Sequence, residues 1–502
     1  MTIPKATIRR LSTGVSGLDE VLGGGLPEFS FNLIGGSPGS GKTTLAHQIM
    51  FALASAERPA LYFTVLGEPP LKMLRYQQQF DFFDHERVNQ CVHFLYLADR
   101  LGDGGLDSVL TAVFEAVARV KPALVFVDSF RSVTTGRHDA SGADLQQFIQ
   151  QLSVMMSNWE ATTFLIGEYA SQDETNPVFT VADGLIWLYQ TSQGNSVVRK
   201  IDVRKMRGQR TVPGLHTFRI TSEGISVFAP PRVLETEPPK RARTTPRARV
   251  AMGNAILDEM LGGGLPEGYS LLVAGPSGAG KSILAAAFLA EGARLGETAV
   301  IALFEQRATF ARGAFIAGLI ESGQVGVVDT GAADLSVDEV AGLLIAEVKR
   351  LNASRVVIDS LSGFELALAP TFSADFRESL SRLIVALART GATVLMTSEM
   401  EDRYDELRFS PYGSAFMTDA IVILRYIEVE SRLKRVLAVV KVRGSAHSDE
   451  LRLFDIDEHG IQIGASMPEH EGLLGGRPRR VTDVAALSDV RGRDVANPVE
   501  HL

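Results

Sequence analysis

The chain has a single cysteine, Cys91, among 502 residues, so it cannot form an intrachain disulfide. It has no apolar run of about 20 residues, the length that a membrane-spanning helix needs. Its first residues, Met1–Lys5, lack the apolar core of a signal peptide. The net charge of −9 disfavours non-specific binding to nucleic acid or to an anionic membrane. The nine histidines show no zinc-ligand spacing. We therefore expect a cytoplasmic globular protein with no membrane partner. Nucleic acid is disfavoured as a partner.

Two glycine-rich loops fit the pattern G-x-x-x-x-G-K-[ST] without a mismatch. In such a loop the glycines let backbone N–H groups turn toward phosphate oxygens, the lysine neutralises phosphate charge, and the hydroxyl holds Mg²⁺. Each loop follows an apolar, strand-like run and leads into a helix-like run, so a helix N-terminus faces the phosphates. The predicted nucleotide-binding residues are Gly36, Ser37, Gly39, Ser40, Gly41, Lys42, Thr43 and Thr44 in the first loop, and Gly275, Ser277, Gly278, Ala279, Gly280, Lys281, Ser282 and Ile283 in the second.

A long internal repeat organises the chain. Lys42 and Lys281 are 239 residues apart (281 − 42), and the lead-in segments that begin at Leu18 and Leu257 have the same separation. A period of this size indicates duplicated domains rather than a solenoid. Each copy alternates apolar strands with amphipathic stretches, which predicts an α/β domain with a mainly parallel sheet flanked by helices. The predicted strands include Ala60–Val65, Leu124–Val127 and Thr163–Gly167, and later Ala299–Phe304, Arg355–Ile358 and Thr393–Thr397.

The composition of the chain indicates where its domain boundaries lie. We predict domains at 1–228 and 250–466, joined by a Pro/Arg-rich linker at 229–249 that contains Pro230-Pro231 and Pro238-Pro239. Its basic residues favour a solvated linker, with contact to nucleic acid or an acidic partner as the alternative. The polar tail, 467–502, is expected to be largely disordered, with a partner-binding peptide as the other interpretation.

An acidic residue ends an apolar strand in each copy. Asp128 follows Leu124–Val127, and Asp359 follows Arg355–Ile358. A lone Asp at a strand end is often a helix cap. Recurrence downstream of both phosphate loops instead indicates that Asp128 and Asp359 complete Mg²⁺ sites with Thr43 and Ser282.

Hydrolysis also needs a group that orients or deprotonates water. Glu68 and Glu305 each come one strand after a phosphate loop, at the carboxyl edge of the predicted sheet, where ligands bind in open α/β folds. They are our candidates for the catalytic carboxylates. The alternative is a glutamate favoured in the first turn of a helix by the helix dipole.

A third element, K-x-R-G, recurs near the end of each copy. Lys205 and Arg207 form the first pair, and Lys441 and Arg443 form the second. Residues i and i+2 of a strand point the same way, so each pair presents two cations on one face. Such a pair suits an anion such as a γ-phosphate. A solvated hairpin end is the alternative for either copy alone.

Taken together, these residues resemble the KaiC family of RecA-like ATPases in its double-domain form. The resemblance covers Leu11–Phe228 and Val250–Ser466, and it includes the lead-in segments, both phosphate loops, the strand-end Asp residues and K-x-R-G. The segment Met417–Tyr426 is also similar to the family's second domain. The resemblance implies two tandem RecA-like domains, ATP and Mg²⁺ as cofactors, and a homohexameric ring with ATP between subunits. It also implies that the Lys/Arg pairs act in trans on a neighbour's γ-phosphate, in a heterologous contact that must close.

Two departures from the family pattern affect the expected activity. The family has adjacent glutamates after the second strand, whereas this chain has Gly67-Glu68 and Phe304-Glu305. The family's phosphorylated Ser-Thr pair is replaced by Ala415 and Phe416. We therefore expect an ATPase that couples nucleotide to conformational signalling, with an unknown protein partner, reached through the C-terminal tail in one interpretation.

Three alternatives stay open at the level of sequence. The first is a Ser/Thr autokinase that acts at another site, such as Ser414. The second is a RecA-like DNA motor or recombinase, which predicts a basic groove with aromatic platforms. The third is a nucleotide-gated scaffold with little turnover, which the missing second carboxylates favour.

Overall fold

In a computed structural model, the protein divides between Pro230 and Pro231 into two compact units. The structure describes the following residues: 8–64, 70–128, 142–169, 177–193, 196–230, 248–304, 314–329, 335–368, 376–400, 417–429, 431–466, 470–471 and 479–480.

The first unit alternates strands with helices as far as the helix Pro177–Val181 and then continues as strands. Its helices are α1 (Leu18–Leu22), α2 (Lys42–Leu53), α3 (Pro70–Gln77), α4 (Ala98–Val120), α5 (Gly142–Asn158) and α6 (Pro177–Val181). Its strands are β1 (Arg10–Leu11), β2 (Leu26–Pro27), β3 (Phe31–Gly36), β4 (Ala60–Thr64), β5 (Val92–Tyr96), β6 (Leu124–Asp128), β7 (Thr162–Glu168), β8 (Gly184–Gln193), β9 (Ser196–Met206), β10 (Leu215–Thr221) and β11 (Gly224–Phe228).

The second unit repeats this plan. Its helices are α7 (Ala255–Met260), α8 (Lys281–Arg294), α9 (Ala314–Glu321), α10 (Val337–Leu351), α11 (Leu361–Ala367) and α12 (Phe376–Thr390). Its strands are β12 (Arg249–Val250), β13 (Leu265–Pro266), β14 (Ser270–Gly275), β15 (Ala299–Leu303), β16 (Val325–Asp329), β17 (Arg355–Asp359), β18 (Thr393–Glu399), β19 (Ala420–Val429), β20 (Arg432–Val442), β21 (Leu451–Asp457) and β22 (Gly460–Ser466), and a short pair follows, β23 (His470–Glu471) and β24 (Arg479–Arg480).

Each unit is built on a nine-stranded sheet with the same topology. The first sheet has the order β11-β10-β9-β8-β3-β7-β6-β4-β5, and the second has β22-β21-β20-β19-β14-β18-β17-β15-β16. The six strands from β8 to β5 are parallel, and β9, β10 and β11 extend that sheet as an antiparallel meander. The central parallel strands are buried along almost their whole length, as strands covered by helices on both faces are. The predicted class of two tandem RecA-like α/β domains is confirmed.

The apolar core of each unit lies on both faces of its sheet. In the first unit, α2 packs on one face through residues such as Leu45 and Ile49, and α4 and α5 pack on the other through residues such as Val113 and Leu152. The six predicted strands are all present, and their ends differ from the predicted ones by at most two residues. No helix in the described part of the chain combines the length and apolarity needed to cross a membrane.

Several predictions concern segments outside the described residues. Glu68 and Glu305 lie there, as do Ser414, Ala415, Phe416, most of the predicted linker and nearly all of the predicted tail. Their predicted roles therefore stay predictions.

Candidate functional site

The first phosphate loop connects the end of β3 to the start of α2. Gly36 is the last residue of β3, and Lys42, Thr43 and Thr44 begin α2, with Gly41 as its N-cap. Gly41 has a φ of 101°, a left-handed value that favours glycine. A Cβ there would lie 2.8 Å from the Ile220 side chain. The loop therefore needs glycine at this position both for its turn and for its packing.

The second loop repeats this geometry. Gly275 ends β14, Ser277, Gly278 and Ala279 lie in the loop, and Lys281, Ser282 and Ile283 begin α8. Its N-cap, Gly280, has a φ of 103°, and a Cβ there would lie 2.8 Å from the Ile456 side chain. In both copies the first backbone N–H groups and the positive dipole end of a helix of more than ten residues face the loop, which suits an anion.

The lysines of the two loops are buried against the loop backbone. The Lys42 side chain is 7% exposed, and its ammonium donates to the carbonyl of Ser37 at 2.8 Å. Lys281 donates to the carbonyls of Gly275 and Pro276 at 2.9 and 2.8 Å. Burial lowers the pKa of Lys42, and the nearby carboxylates of Glu168 and Asp128 oppose that shift. Each loop therefore fixes one cation among its backbone groups.

Asp128 lies beside the first loop. Thr43 Oγ1 donates to Asp128 Oδ2 at 2.9 Å, and the hydroxyl of Tyr62 donates to the same oxygen at 2.7 Å. Burial raises the pKa of Asp128, while the bonds from Tyr62 and Thr43 and the charge of Lys42 lower it. A hydroxyl and a carboxylate, both hard oxygen ligands, meet at the start of α2, and this donor set fits Mg²⁺.

The second copy holds its carboxylate differently. Asp359 ends β17, at the register position that Asp128 has on β6. Its carboxylate accepts a short hydrogen bond from the hydroxyl of Thr397 on the neighbouring strand β18. Ser282, its predicted companion, is exposed in the first turn of α8. The two candidate Mg²⁺ sites therefore share their backbone frame and differ in the side chains that support it.

A further carboxylate at each loop was not among the sequence predictions. Glu168 ends β7 level with Gly36, and Glu399 ends β18 level with Gly275. Glu168 Oε1 lies 3.9 Å from the ammonium of Lys42. The available signal was the position of both glutamates just after a predicted strand. Each places a carboxylate at the carboxyl edge of the sheet, beside the phosphate loop.

The predicted cations of the first unit meet at one place. Lys205 Nζ donates to the carbonyls of Phe179 and Thr180 at 3.3 and 3.4 Å, and Arg207 Nη2 donates to Thr180 O at 3.4 Å. Arg207 also forms an ion pair with Asp183 at 3.0 Å. In the second unit, Lys441 Nζ donates to the carbonyl of Thr418 at 2.8 Å, and Arg443 lies 3.5 Å from the Asp419 carboxylate.

These cations lie at the edge of each sheet opposite to its phosphate loop. Met206, between Lys205 and Arg207, is level with Gly184 on β8, which is level with Asn32 near the start of β3. From Asn32 to Gly36 the strand advances roughly 13 Å. Val442 and Leu271 have the same relationship in the second unit. Neither pair lies at its own unit's phosphate loop.

The repeated sheet and its two glycine-rich loops define a tandem RecA-like protein of the phosphate-loop class. Comparison with known proteins specifies the family. The model of the family described as "ATPase: KaiC" matches residues 11–232 and again 250–467. The chain therefore belongs to the KaiC ATPase family.

Curated relatives match over almost the full length of the chain. It is 28% identical to the circadian clock oscillator protein KaiC of Rippkaea orientalis, over 95% of this chain and 92% of that protein. It is 26% identical to the circadian clock oscillator protein KaiC 1 of Synechocystis sp., over 96% of this chain and 94% of that protein. It is 27% identical to the circadian clock oscillator protein KaiC of Picosynechococcus sp., over 94% of this chain and 93% of that protein.

Proposed function

We propose that this protein is a ring-forming ATPase that binds ATP and Mg²⁺ at subunit interfaces and converts nucleotide state into a conformational signal. In this proposal the phosphate loop of one subunit binds the triphosphate, and the Lys/Arg pair of its neighbour contacts the γ-phosphate. A homohexamer is the assembly we propose, acting in the cytoplasm on a protein partner that binds through the C-terminal tail.

The observation that carries this proposal is the location of the cations. Lys205 and Arg207 lie roughly 13 Å along the sheet from their own phosphate loop, and the same holds for Lys441 and Arg443. Side chains at that edge cannot complete their own unit's site. A neighbour placed head-to-tail brings this edge against a phosphate loop, and such a contact closes into a ring when its rotation permits.

Each proposed site divides the chemistry among its residues. Lys42 and Lys281 neutralise charge on the phosphates, and the helix N-termini supply backbone donors to the same oxygens. Thr43 with Asp128, and Ser282 with Asp359, would hold Mg²⁺, which would neutralise phosphate charge when bound. Glu68 and Glu305 orient the attacking water and accept its proton, and the neighbour's cations stabilise the charge that develops on the transferred group.

The experiment combines ATP turnover with mass photometry on the wild type, Glu68→Gln, Glu305→Gln and the double variant. We expect ATP to produce a hexamer, and the double variant to assemble while losing phosphate release. The glutamine variants keep size and hydrogen-bonding capacity, so lost turnover reports on the carboxylate. Assembly of the wild type without turnover would remove the catalytic roles and favour a nucleotide-gated scaffold. Absence of any assembly with ATP would overturn the ring.

A further inference from the structure

Asp183 connects the first cation pair to the strand that carries the phosphate loop. Its Oδ1 accepts a hydrogen bond from Arg207 Nη1 at 3.0 Å, and its Oδ2 accepts one from the backbone N–H of Phe31 at 3.0 Å. Its own backbone N–H donates to Phe31 O at 2.7 Å, and its carbonyl accepts from the Arg207 N–H at 2.9 Å. Phe31 begins β3, and Gly36 at the other end opens the loop. Asp183 therefore forms two hydrogen bonds with Phe31 and two with Arg207.

Asp419 forms the corresponding contacts in the second unit. Its Oδ2 accepts hydrogen bonds from the backbone N–H and the hydroxyl of Ser270, both at 3.0 Å, and its Oδ1 lies 3.5 Å from Arg443 Nη1. Its backbone N–H donates to Ser270 O at 2.9 Å, and its carbonyl accepts from the Arg443 N–H at 2.8 Å. The first residue of the phosphate-loop strand is Phe31 in one copy and Ser270 in the other. The aspartate and its contacts with that residue and with the arginine occur in both copies.

The aspartates also balance charge within each cation pair. The pKa of Lys205 is lowered first by partial burial and then by the charge of Arg207, and the carboxylate of Asp183 opposes both. Arg443 and Asp419 act on the pKa of Lys441 in the same two directions. Two adjacent cations repel each other, so a fixed carboxylate beside the arginine reduces the free energy needed to hold both at one place. It also fixes the direction of the guanidinium, because the fork of donors is planar.

We propose that Asp183 and Asp419 are positioning residues that orient Arg207 and Arg443 toward the γ-phosphate of a neighbouring subunit. This inference rests on the proposed action in trans. The aspartates are not catalytic residues, because each acts through its arginine. Their bonds to the first residue of β3 or β14 also place the arginine and the subunit's own phosphate loop at the two ends of one strand.

The first test is Asp183→Asn in a Lys281→Ala background, where turnover comes from the first unit. Asparagine keeps an oxygen that can accept from the Phe31 N–H, but it loses the charge that holds Arg207. We expect kcat to fall about 10- to 100-fold, because a misdirected group loses most of its effect on the transition state, while KM for ATP stays nearly constant. The matched control is Asp202→Asn, which breaks the 3.3 Å ion pair with Arg204 on the same strand. Equal turnover in the two variants would overturn the inference.

A double-variant cycle separates positioning from folding. In an Arg207→Ala background, Asp183→Asn should lower kcat no further, since the residue through which it acts is gone. A second loss as large as the first would mean that Asp183 acts through the fold or through its own subunit's site, and the inference would be wrong. The unchanged mass distribution of each variant with ATP serves as the assembly control.

Mixed assemblies distinguish this inference from the proposal on which it rests. Subunits that carry Arg207→Ala or Asp183→Asn are each mixed with Lys42→Ala subunits before ATP is added, all with Lys281→Ala. In such a mixture the intact phosphate loop of an Arg207→Ala or Asp183→Asn subunit can contact the intact cation pair of a Lys42→Ala neighbour. We expect the turnover of both mixtures to exceed the sum of the turnovers of their separate components. No recovery with Arg207→Ala would overturn action in trans. Recovery with Arg207→Ala but not with Asp183→Asn would overturn the positioning role alone.

Discussion

The hydroxyl of Tyr62 donates a 2.7 Å hydrogen bond to the same oxygen of Asp128 that Thr43 contacts. The ring of Tyr62 is fully buried, and burial, together with the charge of Asp128, raises its pKa well above the ordinary value. The phenol therefore stays protonated and acts as a permanent donor to the candidate Mg²⁺ ligand. In the second unit Ile301 takes this register position, and Thr397 supports Asp359 from the other side.

Tyr62→Phe should destabilise the first unit. Removing a hydrogen bond to a buried charged group costs about 2 kcal/mol. Urea unfolding followed by tryptophan fluorescence measures this unit alone, because both tryptophans, Trp159 and Trp187, belong to it. The control is Tyr76→Phe, which alters a ring that is 55% exposed. Equal stability of the two variants would contradict the assigned bond.

His47 should make the first unit sensitive to acid. Its imidazole is fully buried against Tyr62, with ring centroids 4.6 Å apart, and burial lowers its pKa to about 3 from 6.5. Between these values the unfolded chain binds a proton that the folded chain does not, so stability falls as pH decreases. The expected slope is about 1.4 kcal/mol per pH unit. It applies to the part of the curve from about pH 6.5 down to about pH 3.

His47→Leu measures this contribution. The urea midpoint of the wild type should fall more between pH 7 and pH 5 than that of the variant, since only the wild type loses stability through this imidazole. The control, His459→Gln, replaces a side chain that is 77% exposed and should follow the wild-type curve. Parallel pH curves for His47→Leu and the wild type would rule out the effect.

Glu168→Gln should strengthen nucleotide binding by the first unit. The Glu168 side chain is 46% exposed, and its carboxylate lies 3.9 Å from the Lys42 ammonium, at the edge where phosphates are expected. Removing a negative charge beside a polyanion lowers repulsion, and solvent screening limits the gain to about three- to tenfold in affinity. Titration of a fluorescent ADP analogue in a Lys281→Ala background measures it, with Glu160→Gln as the control. Weaker binding would mean that Glu168 holds the site together.

Arg355 is a fully buried cation in the second unit. Its Nε forms a 2.5 Å ion pair with Glu297, its Nη1 donates to the carbonyls of Ala251 and Phe288, and its guanidinium lies 4.6 Å from the Phe288 ring centre. Leu124 has the corresponding place in the first unit. An apolar side chain is therefore compatible with this position of the fold.

Glu297→Ala should therefore destabilise the second unit more than Arg355→Leu does. The first variant leaves a buried charge without its counter-ion, which costs about 3–5 kcal/mol in buried pairs. The second leaves a carboxylate that is 33% exposed and can hydrate. Circular dichroism in urea, after subtraction of the tryptophan-reported transition, measures both. The reverse order would show that the guanidinium stabilises mainly through its carbonyl and ring contacts.

The parallel part of each sheet was predictable because its signal is local. Runs such as Leu124–Val127 are apolar along their whole length, and each phosphate loop defines the strand before it and the helix after it. The structure has all six predicted strands. The antiparallel strands β9, β10 and β11 were not individually predicted, because their alternation of polar and apolar residues depends on which face the core covers.

Partners that are distant in sequence were not predictable. Tyr62 lies in an apolar strand between Leu61 and Phe63, so nothing local distinguishes its hydroxyl from the surrounding core. Asp183 is separated from Arg207 by a hairpin, and only the pairing of β8 with β9 brings them together. Arg355 would have been expected at a surface. Its burial depends on Glu297, a residue from another part of the unit.

The separation between each phosphate loop and the cation pair of the same unit affects how activity changes when the protein is diluted. Within each unit the phosphate loop and the cation pair lie at opposite edges of the sheet, so a unit by itself does not bring the two together. Under the proposed action in trans, specific activity becomes a function of protein concentration, and turnover per chain falls wherever neighbours dissociate. Cellular abundance of the protein would then set the rate directly, in addition to the supply of ATP.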